Sequence, residues 1–445
     1  MRRAELWRLA PIALGTSVVP LDTAMNVAFP SIAGAFDLPI TAIQWIVICY
    51  VLTYGSLMLA VGRIGDIFGH RRVFRLGLIW SAAALLLCAL APSFGALLGL
   101  RILQEIGAAL VIGCGPALAT SLFPEAMRTR ALAAYAAAFA AGSALGPLVG
   151  GALVQAFGWE AVFWFRVPIA LGALLLLRGV PTPPRPATRE AFDALGAVLL
   201  AASVATVLLA VNQLPAPRGL ALASVALVCM AGFVLQSRRS ARPIIDLGLF
   251  RSRAFSGLNL ANMLVNLAGF AVMLLVPFYL TRITALPAIL AGLVLAMGPG
   301  GLMLGSAIGG WAMGRVDGRS VARIGTALAA AGLLMVGLWG AATPVAALMV
   351  ALAIQGIGIG LFTLAYTDIV TATIPRANRG VAGSLSMLTR TLGVVAAASL
   401  LTLLFGSGEL TALAAGAAPA EAFLAAFSRV FLVVSVLPIL VLLLL

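Results

Sequence analysis

The stretch Gly142–Gly151 reads GSALGPLVGG and lies in the middle of a long apolar segment. Glycine and an internal proline both disfavour a helix in water. Inside a bilayer such a segment can stay helical, because neighbouring helices pack closely on the small residues and satisfy the freed backbone groups. Taken alone, the stretch therefore predicts a tight seam between helices within a membrane.

The rest of the chain has the composition of an integral membrane protein. Its 445 residues are 62% hydrophobic and 9% charged, with a mean hydropathy of +1.13. A soluble domain needs more charge on its surface than this. We predict an all-helical fold with fourteen spans of about 20 residues each. The predicted spans are 9–31, 42–61, 73–92, 96–121, 131–156, 161–180, 194–212, 219–236, 255–280, 286–309, 323–342, 345–366, 382–405 and 423–445.

The formal charge of +14 reflects membrane topology rather than a nucleic-acid partner. The chain has no lysine, and the loops on the side opposite the N-terminus carry only Arg218 and Arg282. Cytoplasmic loops of membrane proteins are enriched in basic residues. This bias predicts that both termini are cytoplasmic. The lysine-free, alanine-rich usage indicates a GC-rich genome, and hence the inner membrane of a bacterium.

Two related segments indicate an internal repeat. Residues 62–72 read GRIGDIFGHRR and residues 310–319 read GWAMGRVDGR, so that Gly62 matches Gly310 and Arg71 matches Arg319. Two six-helix halves related in this way are typical of transporters, although two Gly/Arg turns can also be similar by chance. The spacing leaves room for two extra helices. We therefore predict an N-terminal half at 1–180, a linker with two extra helices at 181–254, and a C-terminal half at 255–445.

Neither a cofactor nor a metal site is predicted. The four cysteines all fall inside predicted helices, at no metal-ligand spacing, and the sequence contains no phosphate-binding glycine loop. A secondary transporter driven by a gradient is the favoured class, acting as a monomer and not as an enzyme. An integral membrane enzyme is the alternative from another class, but a single histidine and the lack of clustered acids on cytoplasmic loops argue against it.

The opening stretch resembles the antiporter motif in the fifth helix of the major facilitator superfamily. The resemblance implies an alternating-access transporter in which the fifth helix packs closely against the opposite half, with Gly146 at that contact. The motif residues are Gly142, Gly146, Pro147, Gly150 and Gly151.

GRIGDIFGHRR resembles the superfamily signature between the second and third helices. It implies that Asp66, Arg71 and Arg72 latch the two halves together on the cytoplasmic side. In the second copy Gly314 occupies the place of Asp66, so the latch is expected to be one-sided.

Further motifs resemble the fourteen-helix drug:proton antiporter family (DHA2). LDTAMNVAFP at Leu21–Pro30 is similar to its entry motif, and QWIVICY and RGVAGSL are also typical of it. RILQEIGAA at Arg101–Ala109 resembles the fourth-helix motif, except that Glu105 stands where a glycine usually follows the glutamine. The resemblance implies proton-coupled export of hydrophobic or amphiphilic compounds. The alternative is export or flipping of an endogenous lipid or metabolite.

Three charged residues are expected in the membrane interior, namely Asp22, Arg101 and Glu105. Charges at that depth usually face a partner or an aqueous cavity. Asp22 is predicted to be the main coupling carboxylate, while Glu105 either neutralises Arg101, which we favour, or carries a proton itself. A purely structural role for the three is the alternative. Two acids against one arginine predict a slightly negative cavity that favours cationic or neutral substrates.

The ninth predicted helix carries a stripe of polar side chains, Ser256, Asn259, Asn262 and Asn266. This polar stripe either lines the substrate cavity or forms hydrogen bonds with neighbouring helices. Arg166 and Arg390 lie near predicted helix ends, where their side chains are expected to reach the membrane surface, and they are assigned no chemistry. The candidate cavity residues are Asn26, Trp45, Tyr54, Asn259, Asn262, Asn266 and Gln355.

Overall fold

The computed structural model describes residues 9–123, 127–180, 193–213, 216–240, 247–373 and 379–444. These residues are mostly helical and form fourteen successive helical segments, which confirms the all-helical prediction. The helices are α1 (Ala10–Ala35), α2 (Ile40–Phe68), α3 (His70–Ala89), α4 (Phe94–Ser121), α5 (Arg128–Phe157), α6 (Ala161–Leu177), α7 (Ala194–Gln213), α8 (Pro217–Arg239), α9 (Arg253–Arg282), α10 (Ala288–Ala312), α11 (Gly318–Gly337), α12 (Val345–Thr373), α13 (Arg379–Ala414) and α14 (Pro419–Leu442).

Most of these helices have the length and composition of membrane spans. In the described part of the chain, eleven are long and apolar enough to cross a bilayer, and α2, α6 and α7 contain shorter apolar stretches. Three helices run well beyond their predicted ends, α2 to Phe68, α12 to Thr373 and α13 from Arg379 to Ala414. Hydropathy marks only the part of a helix that lies in hydrocarbon, so polar extensions of this kind are missed.

Helix α1 is interrupted in its middle. Regular α-helix covers Ala10–Ser17 and Met25–Ala35, and a 3₁₀ turn, Pro20–Ala24, lies between them. Pro20 opens the turn, where it lacks the N–H that a continuous helix needs. A 3₁₀ stretch inside a helix often marks a functional position. Asp22 is therefore presented from a break in the helix.

The glycines of α5 allow this helix to touch the 3₁₀ turn of α1. A Cβ atom placed on Gly142 would lie 2.8 Å from the ring of Pro20, and one on Gly146 would overlap Oγ1 of Thr23. A Cβ atom on Gly150 would lie 2.7 Å from the carbonyl oxygen of Ala24, the last residue of the turn. Thr23 Oγ1 also donates to the carbonyl of Ser143, at 3.0 Å. The GSALGPLVGG stretch therefore fixes the position of the segment that carries the carboxylate.

A different face of α5 contacts α10. We use the name N-terminal half for α1–α6 and C-terminal half for α9–α14. A Cβ atom on Gly151 would overlap the carbonyl oxygen of Ala288 in α10, and one on Gly292 would overlap the carbonyl oxygen of Pro147. The seam predicted from the glycines is present. Gly146 was expected to contact the opposite half, and this expectation was wrong. Gly146 faces α1 in the same half, whereas Gly151 contacts α10 in the C-terminal half.

The two halves also meet through α1 and α9 and through α2 and α13. Thr402 Oγ1 of α13 donates to Oε1 of Gln44 in α2, at 2.8 Å. The backbone N–H of Ile289 donates to Oε1 of Gln155, at 3.2 Å. Gln44 lies near the start of α2 and Gln155 near the end of α5. These contacts therefore close the bundle at the end away from the chain termini.

Candidate functional site

Four charged side chains meet inside the first six helices. We call Asp22, Arg101, Glu105 and Arg166 the charge cluster. Arg101 donates from Nη1 to Oδ1 of Asp22 at 2.9 Å and from Nη2 to Oδ2 at 2.7 Å. Arg166 donates from Nη1 to Oδ1 of Asp22 at 2.7 Å. Charge-assisted bonds in this two-pronged geometry are the strong class of hydrogen bond. Asp22 thus ties α4 and α6 to the break in α1.

Helix α4 supplies three members of the surrounding network from one face. Arg101, Gln104 and Glu105 are spaced i, i+3 and i+4, so their side chains project together. Gln104 Nε2 donates to Oδ1 of Asp22 at 3.3 Å and to Oε1 of Glu105 at 3.4 Å. Its own Oε1 accepts from Arg101. The amide of Gln104 therefore bridges the two carboxylates, a role that the sequence analysis did not assign.

Arg166 does not reach the membrane surface, so that expectation was wrong. Its side chain is 1% exposed, and its Nε donates to the carbonyl of Val162 at 3.0 Å while Nη1 binds Asp22. The guanidinium of Arg166 binds the nearby carboxylate of Asp22 instead of extending to water at the membrane surface. The usable signal was present in the sequence, because an arginine within an apolar span is a candidate functional residue by default.

The charge cluster is incompletely satisfied. Among the described residues, Oε2 of Glu105, Nε of Arg101 and Nη2 of Arg166 are buried without a hydrogen-bond partner. The nearest charge to Glu105 is Arg101, with Nη1 at 3.7 Å from Oε1. Buried polar atoms are nearly always paired in proteins, and orphans often mark functional positions. A network built only for stability would be more fully bonded.

Aromatic side chains of α2 border the charge cluster. The guanidinium of Arg101 lies over the ring of Tyr50, 5.4 Å from its centroid. Tyr50 in turn stacks on Tyr54, with centroids 6.4 Å apart. Both tyrosines are half-buried. Tyr50 was not among the predicted cavity residues, and it connects the charge cluster with one that was.

The polar stripe on α9 is mostly used for contacts between helices. The hydroxyl of Tyr366 in α12 donates to Oδ1 of Asn259 at 3.0 Å, and Asn262 Nδ2 donates to Oγ1 of Thr389 in α13 at 2.7 Å. Asn266 donates to the carbonyl of Asn262 at 2.8 Å and stays half-buried. Of the three asparagines, Asn266 is the one best placed for a ligand.

The remaining cavity candidates are spread over three helices. Asn26, Trp45 and Tyr54 are half-buried on α1 and α2, whereas Gln355 is buried on α12, where it packs beside Gly269 of α9. Within the described ranges, none of these four candidates hydrogen-bonds to the cluster. In the same ranges, no three His, Cys, Asp or Glu side chains are grouped so as to hold a metal ion.

The segment at residues 62–72 covers the end of α2 and the start of α3. Arg71 Nη2 donates to the carbonyl of Leu177 at 2.8 Å, at the C-terminal end of α6. Arg72 is exposed. The side chain of Asp66 lies outside the described residues. The contact of Arg71 stays within its own half, and the predicted latch between halves stays a prediction.

Comparison with known proteins identifies the class of molecule. The sequence profile of the Major Facilitator Superfamily matches residues 12–249. The multidrug efflux pump LfrA of Mycolicibacterium smegmatis is 33% identical, over 89% of this chain and 80% of its own length. The methylenomycin A resistance protein of Streptomyces coelicolor is 31% identical, over 87% and 82%. The riboflavin transporter RibZ of Clostridioides difficile is 29% identical, over 86% and 84%.

Solved structures share the fold at lower identity. A bacterial homologue of the human lysosomal transporter Spinster, in an inward-facing and occupied conformation, superposes with a TM-score of 0.74 at 15% identity and covers 99% of this chain and 96% of its own. The POT family transporter PepTSo gives 0.72 at 15% identity, over 99% and 98%. The chain is a multi-pass membrane transporter for small molecules, and it belongs to the Major Facilitator Superfamily.

Proposed function

We propose that this chain is a proton-coupled antiporter that exports hydrophobic or amphiphilic compounds by alternating access. The observation that carries the proposal is the charge cluster, which joins the middle of α1 to the first half of α4 and to α6. Charged groups at such depth are costly in a bilayer and are associated with proton and ion pathways. A carboxylate beside arginines can gain or lose a proton, and this changes the ion pairs that connect α1, α4 and α6.

The purely structural alternative is that the charge cluster only fastens the N-terminal half. Among the described residues, three buried polar atoms of the cluster lack a hydrogen-bond partner, which argues against this alternative because unpaired groups in low dielectric destabilise a purely structural network. The 3₁₀ break in α1 argues in the same direction, since it gives Asp22 a backbone that can readjust when its partners change.

The charge balance changes the expected substrate class. Counting Asp22, Glu105 and Arg101 alone gives a net negative centre, but Arg166 adds a second positive charge, so the four sum to zero when all are ionised. The preference for cationic substrates that follows from one arginine loses its support. We propose neutral or weakly charged amphiphiles, which contact the half-buried aromatic side chains of α2.

The finer assignments are also proposals. We propose membership of the fourteen-helix drug:proton antiporter family, with all fourteen helices spanning the inner membrane of a bacterium and both termini cytoplasmic, and with the chain acting as a monomer. The proposed division remains 1–180, 181–254 and 255–445, although 181–192 and 241–246 lie outside the described residues. With this topology the closed end of the bundle faces outward, where α5 meets α10 and α2 meets α13.

The names of the relatives support export of foreign compounds. One relative is a multidrug efflux pump and another a methylenomycin A resistance protein. A second candidate is transport of an aromatic metabolite, since RibZ, whose name is that of a riboflavin transporter, matches over 86% of this chain. The two candidates share the same fold and the same proton coupling, and they differ only in the compound that is moved.

Everted membrane vesicles test the proposal directly. Respiration acidifies their interior, so an exporter should accumulate Nile red, a neutral dye, and should release protons outward as it does so; ethidium, a permanent cation, tests the charge preference. We expect dye accumulation that a protonophore abolishes, and a partial loss of the pH gradient when dye is added. Vesicles from cells without the chain are the control. Accumulation that the protonophore does not affect would contradict proton coupling, and transport of riboflavin but of neither dye would favour the second candidate.

A further inference from the structure

We propose that Glu105 is the group that takes up and releases the proton, and that Asp22 stays ionised throughout as the anion holding Arg101 and Arg166 together. This division of labour rests on the proton coupling proposed above. It reverses the roles that the sequence suggests, in which Asp22 exchanges protons and Glu105 neutralises an arginine.

Both oxygens of Asp22 are committed. Oδ1 accepts from Arg101 at 2.9 Å and from Arg166 at 2.7 Å, and Oδ2 accepts from Arg101 at 2.7 Å. Gln104 adds a weaker fourth bond at 3.3 Å. A proton on either oxygen would displace a charge-assisted hydrogen bond and leave two buried guanidinium groups facing a neutral acid. Ionised Asp22 is thus required for the arrangement itself.

Glu105 is bound much more loosely. Its Oε1 accepts from Gln104 at 3.4 Å and lies 3.7 Å from Arg101, whereas Oε2 is buried without a partner among the described residues. A proton from water that binds to Oε2 forms one O–H bond there and removes one negative charge. It displaces no hydrogen bond seen in the described part of the chain, and the same proton leaves to water when the carboxylate re-forms.

The groups that face Glu105 define what its protonation changes. Asp22 comes from α1, Arg166 from α6 and Arg101 from the same helix; Tyr50 and Tyr54 of α2 and Cys88 of α3 also lie within electrostatic reach. The four charges sum to zero with Glu105 ionised and to +1 with it protonated. The added positive charge acts on Arg101, which lies over Tyr50.

This arrangement links the proton to the aromatic side chains of α2. Arg101 contacts Glu105 on one side and the ring of Tyr50 on the other, and Tyr50 stacks on half-buried Tyr54. An amphiphile that displaces or stacks on these rings therefore alters the surroundings of the same arginine that senses the proton. Competition between proton and substrate follows without direct contact between them.

Infrared difference spectroscopy of the full-length protein in liposomes tests the assignment without transport. A protonated carboxyl group that lacks a hydrogen bond absorbs at higher frequency than a hydrated one. We expect such a component in the acid-minus-alkaline spectrum of the wild type and its loss in Glu105→Gln. Glu409→Gln, the same chemical change near the far end of α13, should keep it. Persistence of the component in Glu105→Gln overturns the proposal.

Transport supplies the second measurement. Glu105→Gln should lose protonophore-sensitive accumulation of Nile red down to the level of vesicles without the protein, while exchange of labelled for unlabelled dye at equal pH continues. Uphill transport by Glu105→Gln at the wild-type rate overturns the proposal. If the wild type itself shows no proton-driven transport, the proposed function fails, and the infrared result still decides which carboxylate exchanges protons.

Discussion

Each half of the molecule is stabilised internally by a different kind of contact. At the centre of the N-terminal half, Asp22 binds two arginines through short charge-assisted hydrogen bonds. The C-terminal half instead contains a buried cluster of aromatic side chains. Phe427 of α14 stacks on Tyr279 of α9 and on Trp339, with centroids 5.0 and 6.1 Å apart, and its ring lies beside further phenylalanines of the same helix.

The difference implies that the two halves respond differently when a proton binds. An aromatic cluster has many weak, non-directional contacts, and a proton added nearby changes few of them. A charge network of fixed geometry changes as a whole when one member is neutralised. We infer that proton binding changes the N-terminal half, while the C-terminal half acts as a stable body against which the other moves.

The largest effect is expected for Asp22→Ala. The substitution leaves Arg101 and Arg166 buried with only Glu105 as counter-charge, and breaking a buried pair on one side typically costs about 3–5 kcal/mol. We expect a strongly lowered melting temperature of the detergent-purified protein. Asp368→Ala removes an exposed carboxylate from α12 and should melt like the wild type. Equal melting of both variants would show that the charge cluster carries little of the stability of the N-terminal half.

The sequence was sufficient for the helices and for three of the four members of the charge cluster, but the partner of Arg166 was not predictable from it. Helix positions follow from hydropathy, and Asp22, Arg101 and Glu105 stand out because charge is rare in apolar spans. Arg166 stands 144 residues beyond Asp22, so its bond to that carboxylate exists only in the packed bundle. Counting along α6 placed it near a helix end, where extension to water was the default expectation.

Backbone geometry was the second feature that pattern alone did not give. The first span was predicted as one continuous helix at 9–31, because hydropathy does not distinguish an α-helix from a 3₁₀ turn. Pro20 was the available signal for the break. The asparagine stripe left two interpretations open, and the bonds of Asn259 and Asn262 to α12 and α13 favour contact between helices over ligand binding.

An intermediate effect is expected for Phe427→Leu in the aromatic cluster. Leucine keeps most of the burial but loses the ring contacts with Tyr279 and its neighbours, and an aromatic pair contributes about 0.5–1.5 kcal/mol beyond burial. We expect a moderately lowered melting temperature and an unchanged pH dependence of dye accumulation in everted vesicles. Phe157→Leu, on a ring that is 63% exposed, is the matched control. A shifted pH dependence in Phe427→Leu would contradict the division of work between the halves.

The smallest effect is expected for Tyr366→Phe, which removes a neutral hydrogen bond between two helices. The hydroxyl of Tyr366 donates to Oδ1 of Asn259 at 3.0 Å, while Asn259 keeps its own bond to the carbonyl of Phe255 at 2.8 Å. Hydrogen bonds between membrane helices contribute about 0.6 kcal/mol on average, because the separated helices also find partners. We expect a small change in melting temperature, similar to that of Tyr279→Phe, which loses the bond to the carbonyl of Gly340. Dye accumulation should be unchanged in both variants. If Tyr366→Phe selectively alters which dyes are carried, Asn259 lines the substrate path, and the polar side chains of the C-terminal half do more than hold its helices together.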